Sequence, residues 1–203
     1  MYCEKCGTKL HEEQKFCASC GASTSSSGQA ATTTATEYLA MPPGRLWLFC
    51  VLTWGIYELY WFYKNWQAVK RSQLPNIWPV PRSIFAIFFC YDLFRRVHES
   101  AKSNGYAESF SAQWLATGYI VMLIVQAIWN KMEYLGALDI LIAAFVLSVT
   151  PLHLLSVQRA INFNNTKIGA HTQFDKKFTG GEVAVIVIGV LFTLLAIWGF
   201  LLE

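Results

Sequence analysis

Charged residues are scarce in this sequence. Asp, Glu, Lys and Arg make up 14% of its 203 residues, against about a quarter in an ordinary soluble domain. A chain so poor in charge is expected to meet lipid rather than water. The net charge is only +3, which leaves out the broad basic surface that nucleic-acid binding needs. Residues 1–45 hold no apolar run of the signal-peptide kind, so a cytoplasmic N-terminus is expected. Catalytic signatures are missing too. There is no H-E-x-x-H, no glycine-rich turn after a strand, and no nucleophile beside a base. His98, His153 and His171 have no metal-ligand spacing. The chain is therefore not expected to be an enzyme.

What is present is apolar and aromatic. Hydrophobic residues reach 54%, and 8 Trp and 9 Tyr supply the types that gather at membrane interfaces. The N-terminus differs from the rest. It reads MYCEKCGTKLHEEQKFCASCG, with Cys3 and Cys6 in one C-x-x-C and Cys17 and Cys20 in another. Each pair is followed by glycine, Gly7 and Gly21, which permits the left-handed backbone a tight knuckle needs. Two knuckles supply four thiolates in a tetrahedron, a closed structural Zn2+ site with no position left for catalysis. Some twenty residues cannot bury a core alone, so the metal would supply the folding energy. Two disulfides would require an oxidising compartment, for which no leader argues. His11 lies between the pairs and is read as a surface residue. Lys5, Lys9 and Lys15 are offset by Glu4, Glu12 and Glu13, so a protein partner is expected and nucleic acid is not.

This segment resembles the short N-terminal four-cysteine zinc ribbons that precede linkers and transmembrane regions in many bacterial proteins. The resemblance covers residues 1–21 and implies a metal-stabilised contact module. Residues 22–44 follow as a linker. ASTSSSGQAATTTAT cannot bury enough surface to offset its ordering entropy, and Met41-Pro42-Pro43-Gly44 breaks the chain before the first apolar run.

The membrane domain is assigned to residues 45–203. Spanning helices are expected near 112–129, 135–152 and 183–202, each close to the length a bilayer requires. Two further runs are shorter or less clean. Residues 46–63 either span or turn back, and residues 83–102 read as one amphipathic helix with a basic end, suited to the interface. If 46–63 turns back at Thr53-Trp54-Gly55, Lys131 is the one basic residue of the 16 left outside, which the positive-inside rule favours. Crossing at 46–63 and back at 83–94 would place several more outside. An external N-terminus with one crossing at 46–63 also keeps the loops positive inside, but exports the zinc module.

The blocks GIYELYWFYKNW, FFCYDLFRRV and VQRAINFNN resemble recurring blocks of an uncharacterised bacterial integral membrane family, a domain of unknown function. That likeness covers about residues 38–202, implies a bacterial inner (plasma) membrane location, and implies no activity.

Four sets of polar residues stand out. Glu58 lies in an aromatic run with no basic residue three or four positions away. It reads either as an interfacial glutamate or as a buried proton or cation site, with Arg82, Arg95 and Arg96 as candidate partners. Asp92 is spaced to pair with Arg96 and Arg95 on its own helix. Glu58, Asp92 and Arg96 together form a candidate intramembrane polar site. Gln158, Asn162 and Asn165 fall at i, i+4 and i+7 and share one helical face, a stripe suited to interhelical hydrogen bonds. Asp139 is read as reaching the outer surface, and Cys50 and Cys90 as packing residues.

The expected fold is an all-α membrane protein with three spanning helices, a re-entrant or interfacial helical segment, and a small N-terminal zinc ribbon. The expected function is a non-catalytic scaffold or regulator, with the bilayer and a cytoplasmic protein as partners and room for a homo-oligomer. The alternative is a small transporter or channel subunit built around Glu58.

Overall fold

The computed structural model describes residues 36–108, 110–129, 131, 137–170, 178 and 180–201. The chain divides into two units, Met1–Ala35 and Thr36–Glu203. Cys3, Cys6, Cys17, Cys20 and the linker up to residue 35 lie outside the described residues, as does the side chain of Asp139.

Every described element is a helix. The helices are α1 (Pro43–Leu52), α2 (Ile56–Ser72), α3 (Pro79–Ile84), α4 (Ala86–Ser103), α5 (Ala112–Trp129), α6 (Ala137–Val149), α7 (Leu152–Lys167) and α8 (Gly180–Leu201). Two stretches are long and apolar enough to cross a membrane: Ala112–Trp129, and Leu141–Lys167 taken through the break between α6 and α7. The first is only 11% buried within the fold. A soluble core helix of that hydropathy would be mostly covered by protein, so its bare face calls for an apolar solvent. Exposed Ile124 and Ile128 on α5, Leu141 and Phe145 on α6, and Leu191, Phe192 and Leu195 on α8 extend the same surface.

The run at 46–63 is two helices. At 1.5 Å per residue, α1 is about 15 Å long, half of the roughly 30 Å hydrocarbon core. Its end is set by Trp54 and Gly55, both left-handed, with φ of 54° and 86°. Glycine takes that conformation freely, whereas the bulky Trp54 bears a cost of about 1 kcal/mol or more. The turn leaves few polar groups orphaned. Gly55 N–H donates to Cys50 O at 2.8 Å. The Thr53 hydroxyl donates to Phe49 O at 2.7 Å and accepts from Tyr57 N–H at 2.9 Å. Such local closure is what a bend away from water demands.

Residues 83–102 do not form one helix. Phe85, with ψ of 41°, separates α3 from α4. Along α4, Ala86, Cys90, Leu93, Phe94, Val97 and Ala101 are buried at helical spacing. The expected span at 135–152 appears as α6, which Pro151 joins to α7. Pro151 keeps helical angles, φ −67° and ψ −15°, but lacks an N–H, so one long helix is interrupted rather than ended.

The core lies where α2, α4, α5 and α7 meet. Phe62 and Phe94 stack with centroids 6.2 Å apart, and the Tyr119 ring lies 5.7 Å from Phe62. Helices also approach through small residues. A Cβ on Gly189 of α8 would lie 2.6 Å from Leu52 O of α1. Where lipid replaces water as solvent, such close backbone packing carries helix association.

Candidate functional site

Residues 36–41 lie ahead of α1 in neither helix nor strand. A non-helical segment buried among helices would leave its main-chain groups unpaired. Here side-chain amides take the place of a neighbouring strand. Asn165 accepts from Tyr38 N–H at 3.2 Å and donates to Tyr38 O at 2.7 Å. Asn162 does the same for Met41, at 3.3 and 2.9 Å. Between them, Leu39 N–H donates to Asn65 at 3.0 Å and Leu39 O accepts from Gln158 at 2.9 Å. Asn164 donates to Thr36 O at 3.0 Å. Seven main-chain groups are thus satisfied by five amide side chains.

The two-point pairs at Tyr38 and Met41 fix the orientation of Asn165 and Asn162, because a flipped amide would set donor against donor. The amides are themselves held. Trp61 Nε1 donates to Gln158 Oε1 at 2.6 Å, and Gln158 Nε2 donates to Asn162 Oδ1 at 2.9 Å. Ser100 and Asn104 both donate to Asn164 Oδ1, at 2.9 and 2.8 Å. Asn65, Gln158, Asn164 and Asn165 are all buried.

The expected stripe of Gln158, Asn162 and Asn165 therefore exists, and besides the interhelical bond from Trp61 of α2 to Gln158 it clamps a segment of chain. That segment, 36–41, falls within residues assigned to the linker. The linker reading of 22–44 fails at its C-terminal end because Tyr38 and Met41 are 3% and 6% exposed and their backbone is bonded. We call residues 36–41 the strap.

Asp92 and Arg96 belong to the same assembly. Asp92 pairs with Arg96 at 3.1 Å, Arg95 at 3.3 Å and Arg82 at 3.5 Å. Arg82 also lies over the Trp66 ring at 4.5 Å. Arg96 then donates to Gln73 Oε1 at 3.0 Å, and Gln73 Nε2 donates to Thr36 Oγ1 at 2.9 Å and to Tyr38 Oη at 3.3 Å. Thr36 and Ser72 hydroxyls are 2.7 Å apart. Burial pushes the Tyr38 hydroxyl up to about 12, so it stays neutral under any physiological condition.

Glu58 stands apart from this assembly. It is 5% exposed, and its partner is Tyr119, which donates to Oε2 at 2.7 Å. Arg82, Arg95 and Arg96 are engaged with Asp92 instead. The expected grouping of Glu58 with Asp92 and Arg96 is thus resolved into two places. Asn65 and Asn164 were missed by the sequence reading. The signal for Asn65 was there: it lies seven residues after Glu58, on the face of α2 that buries Trp61, Phe62 and Trp66.

Cys50 and Cys90 are buried and unbridged. Among the described residues, no group of three or more His, Cys, Asp or Glu is placed to hold a metal ion. In comparisons with family models, curated proteins and solved structures, the chain matches none.

Proposed function

We propose that the protein is a non-catalytic scaffold or regulator of a bacterial inner membrane, which displays a four-cysteine zinc ribbon from a fixed anchor on its cytoplasmic face. Cys3, Cys6, Cys17 and Cys20 hold one structural Zn2+, and the ribbon makes the protein contacts. Residues 22–35 are the tether, and the strap ends it. The membrane part crosses three times, at α5, at α6–α7 and at α8, whose 22 residues extend about 33 Å. The helices α1 and α2 form a re-entrant pair.

The observation that carries this reading is the clamp on the strap. The amides of the α7 stripe are taken up in holding the chain's own backbone. They do so directly after the segment that leads from the ribbon. An anchor of this kind sets where the ribbon operates, and the tether length sets its reach.

The test compares the full-length protein with a variant carrying Cys→Ser at positions 3, 6, 17 and 20. The intact protein carries about one zinc per chain and captures a set of cytoplasmic proteins that the variant does not. Equal zinc content or identical captured sets would contradict the reading.

A further inference from the structure

The buried carboxylate of Glu58 is not needed by the clamp, and it opens onto space. A pocket of about 420 Å³ lies between the α1–α2 turn, α4, α5 and α6, within the size range of small-molecule sites. Its walls are largely apolar, with Trp54 and Leu123 among them, and its polar groups are few: Glu58, Tyr119, Gln126 and Thr150. Tyr119 occupies only Oε2 of Glu58. No hydrogen bond reaches Oε1 among the described residues, and that atom is not sealed from the pocket. Among the described residues, the lining contains no Lys, Arg or His. A carboxylate so far from positive charge is costly unless it is neutralised.

We propose that this pocket binds an amphiphilic amine, with the apolar body against the walls and the protonated nitrogen donating to Glu58 Oε1. An ammonium group supplies both the missing charge and the missing donor. Neither a carboxylic acid nor a phosphate would do so, and an alcohol would supply the donor without the charge. Tyr119 holds the carboxylate in place from the opposite oxygen. This site is independent of the zinc ribbon and of the strap, so its failure would leave the scaffold reading standing.

The experiment uses the full-length protein in neutral maltoside detergent and radiolabelled decylamine in equilibrium dialysis, competed by unlabelled decylamine, decanol or decanoate. A charge-assisted bond predicts that the amine binds about tenfold or more tighter than the alcohol, and that decanoate does not compete. Glu58→Gln, which keeps the shape and an acceptor for Tyr119, removes the preference for amine over alcohol. Leu123→Trp fills the pocket away from the carboxylate and removes binding altogether, which covers the case in which Glu58→Gln fails to fold. Equal binding of amine and alcohol, or full amine binding by Leu123→Trp, would overturn the proposal.

Discussion

Asn165 shows how one side chain sets the strap. Its amide meets both polar groups of Tyr38, so replacement leaves a buried N–H and a buried C=O unpaired, at about 1–3 kcal/mol each. Asn165→Ala is expected to speed hydrogen exchange at the Tyr38 amide and to lower the unfolding temperature. Asn165→Asp is the sharper probe. It keeps the acceptor for Tyr38 N–H but sets a carboxylate oxygen against Tyr38 O. We expect it to be at least as disruptive as Ala, and exchange at Tyr38 as slow as in the wild type would contradict the clamp. The spacing of Gln158, Asn162 and Asn165 made their shared face legible from sequence. What they hold was not legible. The strap residues they bond lie 119, 121 and 127 positions away from Gln158, Asn162 and Asn165, and the clamp reads main chain, which leaves no side-chain pattern. The partner of Glu58 was hidden for the same reason: Tyr119 is 61 residues away in another helix.

At the scale of elements, the helices were legible where hydropathy alone defines them. The boundaries of α5 match the reading because nothing but length and apolar content sets them. Breaks were harder. Gly55 signalled the α1–α2 turn, since only glycine is at ease there. Phe85 carries no breaker signature, so the end of α3, Ser83 and Ile84, read as the start of α4. Packing between elements depends on glycines in a way that composition does not reveal. On α8, Gly189 faces the Leu52 carbonyl at 2.6 Å from its would-be Cβ, whereas Gly181 has nothing within 4 Å. Gly189→Ala is therefore expected to push α8 from α1 and cost about 1–3 kcal/mol. Gly181→Ala is expected to be neutral or slightly stabilising through helix propensity. Thermal unfolding of both variants in detergent checks the contrast, and equal effects would mean that α1 and α8 are not closely packed.

At the scale of the whole molecule, the polar bonds gather distant parts of the chain at one pole. Thr36 meets Ser72 and Gln73, Gln73 meets Arg96, and Asn104 meets Asn164, which meets Thr36 in turn. The strap, the C-terminal end of α2, the C-terminal half of α4 and the C-terminal end of α7 therefore share one side of the membrane domain. Arg71, Arg95, Arg96, Lys102 and Lys167 are carried on those same helix portions, and in the proposed function the positive-inside rule assigns that side to the cytoplasm. The measurement that tests this most directly is membrane topology, read from a tag at residue 1 and from reporter fusions after Gln73, after Gly105 and at Glu203. The account predicts that residue 1, Gln73 and Gly105 all report the cytoplasm and that Glu203 reports the opposite side. A Gln73 fusion on the side opposite to Gly105 would contradict it, because α1 and α2 would then cross the membrane and the strap could not sit where the five amides hold it.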